Sequence, residues 1–368
     1  MASLFDYLTK YKNTSFAEEP ITEIDRLILA ELAYLSYEKL KIKSFIYLKN
    51  IANEIETLTI DIFEKKRHKT LFEEVINSKR FGMLEIGEVE AKTSDNVQFC
   101  AITFRVDSSY YIVFRGTDLS ISGWREDLEL GVYRKIPSYD YTLSYTIRLL
   151  DLYTGCFELI GHSKGGNIAF FIGSELIEKY SDKIVKITNF DGPGFNYDIF
   201  EKIRGAEHFN KFLKYIPKDD VVGLILDSCD NYNVVDSAYF GVIQHIMFFW
   251  QVEDSHLKRV DNISVLSKIY SKATIDWISS LSFEEKLKIL KLFDEFFANA
   301  EVHNLNQLKE KIPQKMMKFI ASYHGFSFED KKMLIKLSVR MIKYYIDHSL
   351  TEIEGKIAKE RKNLIEKR

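Results

Sequence analysis

The feature that most constrains the fold of this chain is a serine flanked by glycines, GHSKG (161–165), at the junction of two apolar runs. The run before it, at 156–160, has the length of a buried strand, and the run after it, at 167–177, has the length of a helix. A serine on such a strand-to-helix turn is typical of a nucleophile elbow, in which glycines allow the sharp backbone turn. The alternative is an ordinary strand-to-helix corner that contains a serine.

Stretches typical of strands and helices alternate along the first two thirds of the chain. The strand-like stretches are FGMLEIGEVEA (81–91), VQFCAITFRV (97–106), SYYIVFRGT (109–117), KIVKITNF (183–190) and KFLKYIP (211–217). A short turn at 106–109 predicts a hairpin, and 21–40 and 139–153 have helical spacing. This order predicts an α/β fold with a mostly parallel central sheet and antiparallel strands at one edge.

The last third of the chain differs from the rest in its use of glycine. Of 17 glycines, only Gly325 and Gly355 lie beyond residue 260. We therefore expect a hydrolase-type domain at 1–260 and a helical C-terminal region at 261–368 that packs on it. The predicted helices are SVLSKIYSKATIDWISSL (264–281), FEEKLKILKLFDEFF (283–297), LKEKIPQKMMKFIASY (308–323) and 330–348.

Composition excludes several classes of protein. The net charge of −3 does not indicate the basic character that is typical of nucleic-acid-binding proteins. The N-terminus has no secretory signal pattern, and no apolar run reaches the ~18 residues that cross a bilayer, so we expect a cytoplasmic protein, with signal-independent export left open. Cys100, Cys156 and Cys229 form no CxxC pair and are expected to be buried apolar residues. No metal site and no cofactor are expected.

A serine nucleophile needs a histidine base downstream. His162 lies within the elbow itself and is expected to point away from Ser163. Among the remaining histidines before residue 260, His245 follows the apolar stretch FGVIQ, where a strand is expected to give way to a loop. His208 and His256 lie in less suitable places, so the sequence favours His245.

Two positions compete for the carboxylate that orients the base. Asp220, with Asp219 beside it, follows the strand KFLKYIP and precedes His245 by 25 residues. Asp191 follows the strand KIVKITNF and opens a Gly-Pro-Gly turn, which already gives it a structural reason to be there. Both satisfy the chain order serine, acid, histidine. The sequence favours Asp220 and leaves Asp191 and Asp219 as alternatives.

Several motifs together resemble a known family. VFRGTDLSISGW (113–124) followed by GHSKGG resembles class 3 lipases, and GHSKGGN, NFDGPGF, YIPKDDVVGLIL and VIQHIMFFWQV resemble the Mbeg1-like family of bacterial α/β-hydrolases over most of 25–300. The resemblance implies an α/β-hydrolase fold with Ser163 as nucleophile, His245 as base and Asp220 as acid. It also implies an oxyanion hole made by the amides of Thr117 and Lys164. One departure is Ile246-Met247, where the family has Asp-Pro after the histidine, which predicts a more apolar rim.

The reaction implied is hydrolysis of carboxylic esters, preferably lipid esters, through an acyl-enzyme. Trp124, Phe248, Phe249 and Trp250 could line an acyl pocket or a lid that contacts a membrane surface, although core positions are the simpler interpretation. A solvated ammonium is the simpler interpretation of Lys164. Two alternatives stay open. The chain is either a weakly active hydrolase-fold scaffold or an exported lipase whose C-terminal helices dock a protein partner or the secretion machinery.

Overall fold

A computed structural model describes residues 2–60, 62–195, 199–205, 207–226, 231–302, 304 and 312–366. Within them, one sheet has the strand order β1 to β8 without interruption. Its strands are β1 (Ile46–Tyr47), β2 (Glu85–Ser94), β3 (Val97–Val106), β4 (Ser109–Phe114), β5 (Cys156–His162), β6 (Ile184–Phe190), β7 (Phe212–Pro217) and β8 (Asn233–Val235). Strands β1 to β4 pair antiparallel, and β4 to β8 pair parallel. The predicted hairpin, the antiparallel edge and the parallel centre are confirmed.

Helices cover both faces of this sheet. They are α1 (Leu4–Tyr11), α2 (Glu23–Leu32), α3 (Ile55–Leu58), α4 (Lys65–Ile76), α5 (Ile121–Glu129), α6 (Pro137–Leu152), α7 (Lys164–Leu176) and α8 (Ile199–Gly205). A separate pair of short strands, β9 (Val252–Glu253) and β10 (His256–Leu257), follows the main sheet in sequence. Helix α2 begins at the capping box formed by Thr22 and Asp25. The predicted α/β-hydrolase arrangement of sheet and helices is confirmed.

The alternation of side chains along the strands divides the core into two clusters. On β5, Phe157 and Leu159 belong to the cluster under α6 and α7. Ile160 faces the opposite way and belongs to the cluster under α1, α2 and α4. A strand that is buried on both faces lies in the interior of a covered sheet. The end of β5 is therefore held rigidly, which fixes the position of the residue that follows it.

The last third of the chain is helical. Its helices are α9 (Val265–Ser280), α10 (Phe283–Asn299), α11 (Ile312–Gly325) and α12 (Phe328–Glu366). Helix α9 reaches the sheet domain through Ser271, whose hydroxyl donates to the carbonyl of Leu224 at 3.4 Å. Helix α10 does so through an ion pair of 2.9 Å between Asp294 and Arg125 of α5. The division at residue 260 stays a prediction.

Three local expectations need comment. The strand expected before His245 is wrong, because Gly241 has a φ of +63° and the segment Gly241–His245 forms a 3₁₀ turn. Cys100 is buried as expected, whereas Cys156 is exposed, and Cys229 lies outside the described residues. Among the helices that the structure describes, none has the combination of length and apolar character that crosses a bilayer.

Candidate active site

Ser163 occupies a strained backbone position at the junction of β5 and α7. Its φ of 57° and ψ of −132° are values that side-chain-bearing residues rarely adopt, at a cost of about 1–3 kcal/mol. The neighbouring glycines are required because the chain passes so close to itself. A Cβ on Gly161 would lie 2.0 Å from the carbonyl oxygen of Gly165, and one on Gly165 would lie 2.0 Å from that of Phe114. This is the geometry of a nucleophile elbow.

His245 lies beside the elbow and is paired with Asp191. Nδ1 of His245 and Oδ2 of Asp191 are 2.7 Å apart. Asp191 follows β6, the neighbour of β5, and has a positive φ of 51°, which turns its side chain at the strand end. A Cβ on the next residue, Gly192, would lie 2.5 Å from the carbonyl oxygen of Ser163. The Asp-Gly turn therefore packs directly against the elbow.

The structure corrects the preference for Asp220 as the partner of His245. Oδ1 of Asp220 accepts hydrogen bonds from the backbone amides of Val222 at 2.9 Å and Gly223 at 3.0 Å. The carboxylate that contacts the imidazole is thus Asp191 and not the Asp220 that the sequence favoured, and the identity of the catalytic acid stays a prediction. Asp220 stabilises a turn, as an aspartate before a loop commonly does. Asp191, expected to do so, is the residue that reaches the imidazole.

Asp191 and Asp220 form a buried carboxyl pair. The exposed fractions of the two residues are 0% and 1%. Oδ1 of Asp191 and Oδ2 of Asp220 lie in the same part of the interior, since a Cβ on Gly223 would lie 2.5 Å from the first and 3.2 Å from the second. Two buried acceptors in such proximity require a shared proton. Burial, the charge of Asp191 and the hydrogen bond to it all raise the pKa of Asp220 well above its usual range. These shifts favour one proton shared by the pair and held on Asp220 over two ionised carboxylates.

The backbone around His245 is fixed by neighbouring polar side chains. Asp219 exchanges two hydrogen bonds with Gln244, since its amide donates to Oε1 at 3.0 Å and its Oδ2 accepts from Nε2 at 2.9 Å. The carbonyl of His245 accepts from Nε2 of His162 at 2.9 Å. Nδ1 of His162 therefore lacks a proton and accepts from the hydroxyl of Tyr34 at 2.7 Å. Burial lowers the pKa of His162 to about 3, which keeps this bridge neutral.

The turn that follows β4 lies against Ser163. A Cβ on Gly116 would lie 2.6 Å from the carbonyl oxygen of His162 and 3.1 Å from Cβ of Ser163. Thr117 is the residue after Gly116, and its hydroxyl donates to Asp127 at 2.7 Å. Lys164 is the first residue of α7, so its amide has no acceptor within the helix. Both residues expected to form the oxyanion hole are thus beside the elbow.

The side chain of Lys164 is buried, which corrects the expectation of a solvated ammonium. Its Nζ donates to Oε2 of Glu126 at 2.7 Å and to the carbonyl and Oε1 of Gln98 at 3.0 and 2.6 Å. Both charged side chains are 0% exposed. Oε1 of Glu126 accepts from the amide of Ser138 at 3.0 Å. The ion pair therefore joins the start of α7 to α5 and α6 beneath the proposed oxyanion hole.

Breaking this ion pair is expected to destabilise the fold. Lys164→Met leaves the Glu126 carboxylate buried without its cation, which costs about 3–5 kcal/mol. Lys164→Met combined with Glu126→Leu removes both charges and is expected to cost less than Lys164→Met alone. Denaturant unfolding of the three proteins measures both differences. A double variant less stable than Lys164→Met would contradict this account of the pair.

The aromatic residues after His245 belong mostly to the core. Phe248 and Trp250 are 3% and 1% exposed, which confirms the simpler interpretation for these two. Trp124 is exposed. Of the two residues expected to make the rim apolar, Met247 is buried and Ile246 is half-buried. The exposed apolar residues instead precede the histidine: Tyr239, Phe240, Val242 and Ile243.

Two supporting residues carry no signal in the sequence. Tyr34 lies on the turn after α2, far from the elbow in sequence, and its hydroxyl fixes His162. Asn167 on α7 donates to the carbonyls of Pro193 at 3.2 Å and Gly194 at 2.8 Å and so anchors the turn that carries Asp191. Asn167 does lie in the GHSKGGN motif. Among the described residues, no group of three or more His, Cys, Asp or Glu side chains could hold a metal ion.

The sheet, the elbow and the adjoining histidine–aspartate pair define the class of α/β-hydrolase-fold proteins. Within that class, a model of the Mbeg1-like family matches residues 75–298, which is more than half of the chain. The chain belongs to the Mbeg1-like family. A comparison with curated proteins finds no match.

Three solved lipase structures are similar to the chain. M37 lipase has 15% identity, with 54% of this chain and 67% of that chain covered and a TM-score of 0.34. The native Rhizomucor miehei lipase propeptide complex has 16% identity, with 51% of this chain and 66% of that chain covered and a TM-score of 0.33. A fungal lipase–inhibitor complex has 17% identity, with 69% of this chain and 98% of that chain covered and a TM-score of 0.35. The chain spans about two thirds of the first two, and these similarities concern the fold only.

Proposed function

We propose that this protein hydrolyses carboxylic esters, with Ser163 as nucleophile, His245 as base and Asp191 as the orienting acid. The observation that carries the proposal is the 2.7 Å contact between Nδ1 of His245 and Asp191, next to a serine in a strained turn. A structural strand-to-helix corner needs neither the strain nor the buried acid–base pair. The same observation favours an enzyme over a catalytically weak scaffold.

The mechanism follows from the hydrogen bonds of the imidazole. Because Asp191 accepts the proton on Nδ1, the lone pair of His245 lies on Nε2 and can take the proton of the Ser163 hydroxyl. Among the described residues no hydrogen bond joins the Ser163 hydroxyl to His245. Such a bond between nucleophile and base often forms only when substrate binds. Ser163 attacks the ester carbonyl, and the protonated imidazole then delivers its proton to the leaving alcohol. Water repeats the attack on the acyl-enzyme and restores the serine.

The amides of Thr117 and Lys164 are proposed to stabilise the oxyanion. Each such donor contributes about 3 kcal/mol to the transition state in a well-studied serine protease. The buried ion pair of Lys164 with Glu126 fixes the helix start that presents one of these amides. The Lys164 side chain itself points into the interior and is not available to bind a substrate head group.

Lipid esters are the proposed substrate class. The segment that leads to His245 exposes four apolar side chains, of which Phe240 is 80% exposed. Exposed apolar residues in a contiguous segment mark surfaces that meet an apolar partner. A cavity of about 150 Å³ opens beside the turn after β4, and its lining is mixed: the polar side chains include Glu38, Lys39, Arg115 and Asp118, and the apolar ones include Ile60, Ile62 and Phe63. The exposed apolar segment before His245 supports contact with a lipid surface.

The substrate class is tested with a chain-length series of p-nitrophenyl esters together with phospholipid and acylglycerol dispersions. The full chain is assayed with Ser163→Ala as the blank. We expect turnover that increases from acetyl to medium acyl chains. A matched variant, Phe240→Ser, is expected to lower activity on dispersed lipid and to leave activity on soluble esters unchanged. Absence of turnover on every ester by the folded protein would contradict the proposal.

The pH dependence of kcat/KM is expected to report the ionisation of Asp191 in its pair with Asp220. Burial raises the pKa of Asp191 to about 7, and the hydrogen bond from Asp220 and the charge of Lys214 oppose this rise. Asp191 must be ionised to hold the imidazolium, so activity is expected to rise with pH through about 7 and then level off.

Removing the Asp220 side chain, which donates to Asp191, should shift the pH dependence of kcat/KM. Asp220→Ala destabilises the ionised form of Asp191 and is expected to raise the midpoint by ~1–2 pH units, the equivalent of one charge-assisted hydrogen bond. Asp220→Asn keeps an N–H donor and serves as the control, with a midpoint close to that of the wild type. An unmoved profile in Asp220→Ala would contradict the shared proton.

A further inference from the structure

Helix α12 exposes a long apolar stripe to solvent. Its members are between 46% and 60% exposed: Ile335, Val339, Ile342, Ile346, Leu350, Ile353 and Ile357. Their spacing of three and four residues keeps them on one face of the helix. At 1.5 Å per residue, the 22 steps from Ile335 to Ile357 make a stripe about 33 Å long.

The opposite face of α12 is already occupied. Leu337 is 3% exposed, and its carbonyl accepts from Nε1 of Trp277 on α9 at 3.0 Å. His348 contacts Asp276 of α9 at 2.7 Å through Nε2. Arg340 pairs with Glu285 of α10 at 3.1 Å. The stripe is therefore additional to the face that anchors the helix, and packing against the rest of the described chain does not account for it.

The order of residues in the stripe is symmetric about Ile346. Equal steps in the two directions from Ile346 reach the pairs Ile342 and Leu350, Val339 and Ile353, and Ile335 and Ile357. A two-fold axis between identical chains requires a patch that is complementary to itself. Such symmetry fits two antiparallel copies of the helix, in which every apolar layer meets another and Ile346 meets its own counterpart.

The charges along one edge of the stripe are basic before Ile346 and acidic after it. Lys336 and Lys343 flank it before Ile346, and Asp347 and Glu354 flank the same edge after it, all four exposed. Antiparallel pairing about Ile346 brings Lys336 near Glu354 and Lys343 near Asp347 of the second copy, with an offset of about 3 Å along the helix axis in each pair. In a parallel pair this edge would face the opposite edge of the second helix, so these four side chains would not meet one another. Opposite charges at flanking positions set partner and orientation in paired helices.

We propose that α12 is a dimerisation helix, which pairs antiparallel with α12 of a second copy of this chain about an axis at Ile346. The two copies bury the stripe, and four ion pairs flank it. This proposal is independent of the proposed ester hydrolysis.

Light scattering during size-exclusion chromatography of the full chain tests the proposal. We expect the mass of two chains at micromolar concentration. Ile346→Glu places two carboxylates against each other on the axis and is expected to give the mass of one chain. Thr351→Glu adds the same charge at an exposed position off the stripe and is expected to stay dimeric. Thermal unfolding confirms that the exposed substitutions leave the fold intact.

Two charge-reversed chains test the orientation. Lys336→Glu with Lys343→Glu makes all flanking positions acidic, and Asp347→Lys with Glu354→Lys makes them all basic. Each protein alone is expected to be monomeric at concentrations where the wild type is dimeric, and an equimolar mixture is expected to form a heterodimer. Dimers of either charge-reversed protein alone would overturn the antiparallel register. A monomeric wild type would overturn the proposal, including one that binds phospholipid vesicles through the stripe.

Discussion

Ser163→Ala is expected to lower kcat on any ester substrate by about 10⁶-fold, as loss of the nucleophile does in a well-studied serine protease. The expectation depends on the strained conformation of Ser163, whose Cβ lies against the turn after β4. Alanine adopts the same backbone conformation at a similar cost, so the fold should be unchanged. Initial rates of ester hydrolysis on protein freed from contaminating esterases measure the effect.

A second variant at this position separates catalysis from folding. Ser163→Gly is expected to be as inactive as Ser163→Ala, yet more stable by about 1–3 kcal/mol because glycine relieves the strain. Denaturant unfolding of the three proteins measures the difference. If Ser163→Gly raises the stability and abolishes the activity, the backbone strain at Ser163 serves catalysis and not folding. Residual activity of Ser163→Ala above a few per cent would instead place the nucleophile elsewhere.

Asp191→Asn is expected to lower kcat by about 10⁴-fold, because an amide favours the wrong tautomer of the imidazole and cannot stabilise the imidazolium. The matched control is Asp220→Asn, which changes the same atoms in the other member of the carboxyl pair. Asparagine can still accept from the amides of Val222 and Gly223 and donate to Asp191. We expect this control to keep activity within about tenfold of the wild type, the cost of one neutral hydrogen bond.

The two substitutions distinguish the two possible acids directly. The structure joins His245 to Asp191, whereas the sequence resemblance implied Asp220. A large loss in Asp220→Asn with little loss in Asp191→Asn would restore the acid that the sequence favoured. Circular dichroism and thermal unfolding of both proteins confirm that the comparison is between folded enzymes.

The main elements of the fold could be predicted from local patterns. The apolar run of β5, the glycines of the elbow and the helix after it are adjacent in sequence, so their geometry is set by short-range sterics. The same holds for the hairpin of β3 and β4, whose turn is short. His245 could be singled out because few histidines follow the elbow, although the strand expected before it is a 3₁₀ turn.

The choice between the aspartates could not be made from the sequence, because it depends on where two neighbouring strands end. Asp191 and Asp220 follow β6 and β7, and both carboxyl groups reach the same buried space. Which of them meets His245 is decided by the positive φ of Asp191 and by the amides that hold Asp220. A turn motif such as Asp-Gly-Pro-Gly therefore does not exclude a second role for its aspartate.

The burial of the Lys164 ammonium could not be predicted from the sequence either. A lysine after the elbow serine is expected on the surface, since an isolated ammonium is costly to bury. Its partner Glu126 lies on α5, 38 residues away in sequence, and only the folded chain brings the two together. The tertiary fold also decides which face of α12 is covered, because the helix is apolar on two sides.

The most direct test of the central claim is covalent labelling of the folded chain with a fluorophosphonate, which reacts with activated serines without reference to the true substrate. Peptide mapping by mass spectrometry should find the phosphonyl group on Ser163, with labelling much slower in Asp191→Asn and nearly unchanged in Asp220→Asn. A folded wild-type chain that carries no label on Ser163 would contradict the assignment of a serine hydrolase.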